Sequence, residues 1–328
     1  MAETASATGL DLRDLAVALS TEVGVVSVVS GVSFSIRPGE THCLVGESGS
    51  GKSMTALAIA RLLPNMARIS GGQVLLDGTD LVRLSQADMR RVRGRRVAMV
   101  FQDSMTSLNP LLTIGRQITE GMELHLGLSV QQAQKRAVDL LDQVGIPAPA
   151  TRLVQYPHQL SGGLRQRAAI AIALAAEPEV LIADEPTTAL DVTTQAQILE
   201  LIAEQQARRG MALLMITHDL GVVARMATTV GVMYGGRIVE AGSARQVFRD
   251  PRHPYTRGLL DSVPRMDTDL STPLISIPGA PPSVTRLPAG CAFAPRCGLC
   301  FDPCDASRPP LVAGPGGRAV ACFRETAG

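Results

Sequence analysis

Residues 41–63 read Thr41-His-Cys-Leu-Val45-Gly46-Glu-Ser-Gly-Ser-Gly51-Lys52-Ser53-Met-Thr-Ala-Leu-Ala-Ile-Ala-Arg-Leu-Leu63. A short apolar strand, Thr41–Val45, runs directly into a glycine-rich loop. Lys52–Leu63 then has helical periodicity and stops before Pro64. The loop fits G-x-x-x-x-G-K-[ST] in the context that gives this pattern meaning, with a strand before it and a helix after it. Its glycines let backbone N–H groups turn inward around phosphate oxygens, and the helix N-terminus adds the positive end of its dipole. Lys52 is placed to reach β- and γ-phosphates, and Ser53 to bind Mg²⁺.

Upstream, Leu10–Ala18, Val25–Val29 and Val32–Ile36 are β-rich, and Pro38-Gly39 is a turn. Downstream, Gln73–Leu76 and Val97–Phe101 read as strands, with a turn at Asp77-Gly78. Residues 110–160 are helical, broken at Gly127, Gly145 and Pro147. Val180–Ala183 and Ala212–Ile216 are continuous apolar runs of strand length, each following a helix. Strands that alternate with helices imply a largely parallel sheet in an α/β fold. Val230–Tyr234 and Arg237–Glu240 flank Gly235-Gly236, a hairpin signature. Beyond residue 242 proline and glycine rise, and five of the six cysteines fall between Cys291 and Cys322. We read 1–9 as a loose tail and 243–328 as a separate extension.

In open parallel sheets, ligands sit at the carboxyl ends of strands. Val180–Ala183 ends on Asp184-Glu185. Asp184 is placed to hold the hydration shell of Mg²⁺, and Glu185 to polarise an attacking water as general base. Gln102 follows the strand at Val97 and could bind Mg²⁺ or water at the γ-phosphate. His218 follows the strand at Ala212 and could bond the γ-phosphate while orienting Glu185. Alone, Gln102 reads as surface and His218 as structural. Four polar residues that each end a strand of one sheet are a much less common accident.

Residues 160–167 read Leu-Ser-Gly-Gly-Leu-Arg-Gln-Arg. Ser161 is a good N-cap for a helix running through Ala176. Gly162 and Gly163 cost about 1 kcal/mol each relative to Ala inside a helix. That cost makes sense where another molecule approaches the backbone closely, and a helix N-terminus is an anion site. One nucleotide does not need two phosphate cradles from a single chain.

The bulk composition narrows the class. The chain has 328 residues, 45% hydrophobic but only 3% aromatic, with no Trp. Its core must be aliphatic, as in parallel sheets covered by helices. A net charge of +1 gives no global case for nucleic acid. Arg90, Arg91, Arg93, Arg95 and Arg96 form the one basic cluster, read as a solvated face, with contact to a partner or lipid headgroups as the alternative. The longest apolar run, Ala168–Ala176, falls far short of the ~20 residues needed to span a bilayer. No secretory signal is visible, so a cytoplasmic protein is expected, linked to a membrane only through another chain.

Together these residues resemble the ATP-binding subunit of an ABC transporter. The resemblance rests on the Walker A loop Gly46–Ser53, the Q-loop Gln102 and the signature Leu160–Gln166. Walker B Leu181–Glu185, the D-loop Ala189-Leu-Asp191 and the switch His218 complete it. It covers residues 10–242 and implies a RecA-like P-loop NTPase core with an antiparallel β subdomain and a helical subdomain at about 103–165. It also implies that two subunits dimerise head to tail, each ATP lying between one chain's Walker A and the other's signature. The implied nucleotide contacts are Gly46, Glu47, Ser48, Gly49, Ser50, Gly51, Lys52, Ser53 and Met54, with Ser161, Gly162, Gly163, Gln166 and Asp191 facing the partner's ATP. Lys52, Gln102, Glu185 and His218 take the catalytic roles, and Ser53, Gln102 and Asp184 hold Mg²⁺.

Phe101–Pro110, Tyr156–Ser161, His253–Leu260 and Gly290–Cys297 through Cys322 are similar to the oligopeptide/dipeptide importer branch. That implies two transmembrane permease subunits, a second, non-identical ATPase chain and an extracytoplasmic solute-binding protein. It also implies a peripheral place on the cytoplasmic face of the inner membrane. The rival readings are a soluble ABC ATPase acting on nucleic acid or ribosomes, and a nucleotide-gated regulatory subunit. The first usually has two ATPase halves or a long coiled coil, neither of which is present. One departure is that residues 10–33 hold no aromatic to stack on adenine, leaving Leu19 or Val26 to take that place. Ser104 and Leu164 also differ from common choices in relatives.

The tail is spaced Cys291-x5-Cys297-x2-Cys300-x3-Cys304-x17-Cys322. In a cytoplasmic setting such thiols suit an Fe–S cluster or zinc better than disulfides. The dipeptide-importer resemblance selects Cys291, Cys297, Cys304 and Cys322 as ligands of a [4Fe–4S] cluster, leaving Cys300 extra. Cys43 lies in an apolar strand and reads as core.

Overall fold

The structure, a computed structural model, describes residues 9–22, 24–102, 107–188, 190–263 and 276–326. Ser104 and Ala189 lie outside them. The chain opens with β1 (Leu10–Thr21), β2 (Gly24–Ile36), β3 (Thr41–Val45), α1 (Lys52–Ile59), β4 (Ala67–Leu76) and β5 (Thr79–Asp80). Helix α2 (Gln86–Val92) and β6 (Val97–Val100) lead to α3 (Ile114–Leu126), α4 (Val130–Gln143), α5 (Pro149–Leu153) and α6 (Gly162–Leu174). Next come β7 (Val180–Asp184), α7 (Val192–Arg209), β8 (Ala212–Ile216) and α8 (Leu220–Met226). The hairpin β9 (Thr229–Tyr234) and β10 (Arg237–Ser243) precedes α9 (Ala244–Arg249) and α10 (Pro254–Asp261). The chain ends with α11 (Asp302–Ala306), β11 (Val312–Ala313), β12 (Ala319–Val320) and α12 (Phe323–Thr326).

Two compact units emerge. The first gathers Ile36–Glu40 and Leu76–Met215. Its strands run in the order β8-β7-β6, with β6 and β7 parallel from Val97 opposite Val180 to Val100 opposite Ala183. Every residue of β7 is buried, as expected for an aliphatic strand with both faces covered. Helices α3 to α6 pack on one another, and α6 also lies against β6. Local chemistry sets their ends. Ser129 and Gln132 make a capping box on α4, and Gly127 ends α3 at φ 65°.

The arginine cluster is partly structural rather than a purely solvated face. Arg96 donates to both carboxylate oxygens of Glu179, at 2.9 and 3.0 Å, and Arg95 donates to the carbonyls of Ala176 and Glu177.

The second unit gathers Asp11–Ser35, Thr41–Leu75 and the chain from Ile216. It contains the β2-β1-β4 face and a ribbon ordered β11-β12-β10-β9-β3. Strand β3 is parallel to β9, with His42 opposite Thr229 and Val45 opposite Val232. The β9–β10 turn uses Gly235 and Gly236 at φ 54° and 79°. Strand β12 pairs with β10, Glu240 facing Val320, so the C-terminal stretch adds strands to this unit. The two strands expected at Val25–Val29 and Val32–Ile36 are one. Gly31, at φ 68°, absorbs the kink without ending the strand.

Candidate functional site

In the second unit, the loop Gly46–Ser53 joins β3 to α1 as the spacing predicts. Close packing demands its glycines. A Cβ on Gly46 would come 2.2 Å from the Met233 carbonyl oxygen, and one on Gly51 2.8 Å from that of Val28. Lys52 is buried, and its ammonium donates to the carbonyls of Gly46 at 2.7 Å and Glu47 at 2.9 Å. A buried ammonium needs such acceptors, and phosphate oxygens offer stronger ones. Ser50 accepts from the Gly236 amide at 3.0 Å, tying the loop to the hairpin. His218 belongs to the same unit and is exposed. Leu19 and Val26 are both half-buried, and the first aromatic of the chain, Phe34, stacks on His42 at 4.3 Å.

In the first unit, Asp184 ends β7 and is buried. Glu185 follows at φ 46°, a left-handed backbone that is costly for a residue with a side chain. One of its carboxylate oxygens, Oε2, accepts from the Gln102 amide at 3.0 Å and from the Thr188 hydroxyl at 3.0 Å. The structure therefore brings together Gln102, Glu185 and Thr188. Sequence reasoning missed Thr188. Its signal is the spacing Glu185-Pro-Thr-Thr188, which lets a hydroxyl three residues on reach back to the acid.

Ser161 caps α6, and its hydroxyl accepts from the Leu164 amide at 3.4 Å. A Cβ on Gly162 would meet nothing within 4 Å, while one on Gly163 would meet Thr194 at 3.0 Å. Space for an approaching ligand thus lies at Gly162, whereas Gly163 allows α6 to meet α7. Gln166 is buried, with its amide nitrogen lacking a partner among the described residues. Asp191 caps α7, accepting from the Thr194 amide at 2.9 Å and hydroxyl at 2.6 Å. The Thr194 hydroxyl leads in holding this carboxyl below its ordinary range.

The cysteines lie in the second unit. Cys291, Cys297, Cys304 and Cys322 line one small cavity with Phe293, Phe301 and Leu299, and Cys300 is not in its lining. Burial is the leading cause that pushes the thiols of Cys291, Cys297 and Cys322 up. The cavity holds about 20 Å³, room for about one water. Among the described residues, no three side chains of His, Cys, Asp or Glu are grouped to hold a metal ion. As arranged, the four cysteines line one cavity that is too small for an iron–sulfur cluster. Burial pushes the Cys43 thiol up to about 12, in keeping with inert core.

Comparison with known proteins gives this geometry a family. The description "ABC transporter" matches residues 29–188, and "Oligopeptide/dipeptide transporter, C-terminal region" matches 239–304. A protein of Brucella melitensis named as a peptide import ATP-binding protein is 51% identical over 93% of this chain and 93% of its own. The chain belongs to the ABC transporter ATP-binding proteins.

Among other members of that family, the oligopeptide transport ATP-binding protein OppD of Bacillus subtilis is 52% identical over 88% of this chain and 80% of its own. A dimeric ATP-binding cassette solved in a post-hydrolysis state with ADP and phosphate aligns with a TM-score of 0.65. It is 27% identical and covers 72% of this chain and 99% of its own. CbiO1 of Clostridium perfringens, part of an ABC transporter complex, aligns at 0.64 and 27% identity over 75% of this chain and 92% of its own. This ABC ATP-binding protein has the P-loop NTPase fold. No helix among its described residues is long and apolar enough to cross a membrane.

Proposed function

We propose that this chain is the ATP-hydrolysing subunit of a membrane importer for di- and oligopeptides or related small solutes. The hydrolytic part of the reading is carried by Glu185 at the end of β7, its carboxylate held by Gln102 at 3.0 Å. Gly46–Ser53 and Met54 bind the triphosphate, with Lys52 gripping the β- and γ-phosphates. Ser53, Asp184 and Gln102 would hold Mg²⁺, which neutralises the phosphate oxygens when bound. Glu185 accepts a proton from water as the water oxygen bonds the γ-phosphorus. The bond from that phosphorus to the β–γ bridging oxygen breaks, giving ADP and phosphate. His218 orients the water and the carboxylate.

Ser161, Gly162, Gly163, Gln166 and Asp191 act on the ATP of a second ATP-binding subunit paired head to tail. Hydrolysis drives two membrane-spanning permease subunits supplied by a solute-binding protein, with this chain on the cytoplasmic face. The peptide class is supported by the matched C-terminal region and by the names of the relatives. In the assembled complex reconstituted in vesicles, MgATP hydrolysis should rise with peptide-loaded binding protein. Hydrolysis indifferent to peptides but stimulated by nucleic acid or ribosomes would sink the importer reading.

The proposal extends to a [4Fe–4S] cluster on Cys291, Cys297, Cys304 and Cys322, which requires their segments to part to admit it. That all four cysteines line one apolar cavity supports it. Anaerobic purification with iron and zinc analysis tests it, and iron-free protein ends it.

A further inference from the structure

The C-terminal segment grips the phosphate loop at one residue. Glu47 is the first variable position of Gly46–Ser53, and its backbone N–H donates to the Tyr255 hydroxyl at 2.8 Å. Its carboxylate receives both arms of the Arg296 guanidinium, at 2.6 and 3.0 Å. A two-pronged pair of this kind fixes direction as well as charge. Arg296 is itself fully engaged. It donates to the carbonyls of Pro278 at 2.8 Å and Ile277 at 3.4 Å, and to the Tyr234 hydroxyl at 3.3 Å. Its side chain is 5% exposed against 25% for Glu47. Its guanidinium carbon lies 5.9 Å from the Tyr234 ring centre and 6.0 Å from that of Phe293, and these two rings pack with Tyr255 at 4.5 to 5.4 Å.

A carboxylate in a loop that must receive a triphosphate is an electrostatic liability. At several ångströms through a protein-like dielectric, one uncompensated charge weakens anion binding by on the order of tenfold. We propose that Arg296 is a positioning residue for the nucleotide. It neutralises Glu47 and, with Tyr255, holds this end of the phosphate loop, so the C-terminal segment sets the loop's affinity for ATP. Arg296 closes the turn Ala294–Arg296 between Cys291 and Cys297, whose amide donates to the Ala294 carbonyl at 3.1 Å. The turn that carries the clamp is therefore flanked by two of the cavity-lining cysteines.

The inference rests on reading Gly46–Ser53 as the ATP loop, and the two can fail separately. In the full complex, Arg296→Met should raise the ATP concentration for half-saturation on the order of tenfold, with kcat changed less than about twofold. Adding Glu47→Gln to Arg296→Met removes the unpaired carboxylate and should recover most of that loss. A merely structural arginine would leave the double variant no better than the single one. That result, or unchanged affinity in Arg296→Met, overturns the proposal. Should Arg296→Met fail to fold, Arg296→Lys keeps the charge and loses the fork. It should raise half-saturation about threefold, and no rise counts against the clamp. Lys52→Ala that still binds ATP normally would instead overturn the reading of the loop itself.

Discussion

The Gln102 side-chain amide donates to Oε2 of Glu185 at 3.0 Å, on the same oxygen that accepts the Thr188 hydroxyl. One carboxylate oxygen is thus occupied by two donors at the end of β7. An amide in place of this carboxylate keeps the shape and loses the base. Glu185→Gln should bind ATP as the wild type does and lose about 10²-fold or more in turnover. Nucleotide binding and steady-state phosphate release measure the two quantities. Turnover above about a tenth of wild type would show that another group is the base.

Thr188 stands behind that acid. Thr188→Val removes one donor to Glu185 without changing side-chain size. A fall in kcat of about tenfold or more with little change in KM for ATP is expected, because a hydrogen bond to a carboxylate contributes roughly 1.5–3 kcal/mol. Thr188→Ser should restore most of the activity. An unchanged kcat in Thr188→Val would reduce this contact to a local turn bond.

Ser161 and Gly162 leave open space at the start of α6. A long cation placed there should obstruct a second subunit's nucleotide and not the chain's own. Ser161→Arg is therefore expected to lose most hydrolysis in the assembled dimer while its own phosphate loop binds ATP normally. Isothermal titration of the single chain and turnover of the dimer separate these outcomes. Equal loss at its own loop would overturn the head-to-tail assignment.

What the sequence made readable was local. The strand–loop–helix at Thr41–Leu63, the two acids after an apolar run and the Gly-Gly hairpin each carry their physics within a dozen residues. Longer-range relations were not readable. Arg296 meets Glu47 across 249 positions, and no periodicity announces it. The sequence reading began this strand only at Gln73, whereas β4 runs from Ala67 to Leu76. Gly72 is a strand residue at φ 83°, where a Cβ would sit 2.4 Å from the Asp14 carbonyl oxygen. Its glycine answers a close approach to β1, a contact visible only in three dimensions.

The same holds for the seam between β10 and the C-terminal stretch. Glu240 is fully buried and accepts the Arg318 guanidinium at 2.6 Å and the His253 amide at 2.9 Å. Removing one member of such a pair strands a charge, at a cost of about 3 kcal/mol once the partial exposure of Arg318 is discounted. Arg318→Ala should lower the urea midpoint accordingly, and adding Glu240→Gln should recover part of the loss. Additive losses in the double variant would mean that the two residues stabilise independently.

His42 supplies the acid limit. It is buried in β3, with its Nδ1 2.8 Å from the Thr229 hydroxyl and its Nε2 without a partner among the described residues. Burial lowers its pKa from 6.5 to about 3. The folded state therefore favours neutral imidazole. Above about pH 6.5 both states hold it neutral, and its contribution is fully present. As pH falls from about 6.5 toward 3 the unfolded chain binds a proton that the folded one refuses, so stability drops by up to about 1.4 kcal/mol per pH unit. His42→Leu removes the proton site and should flatten the fall in urea midpoint between pH 6 and 4 by that slope. An identical slope in the variant would assign the acid sensitivity to other groups.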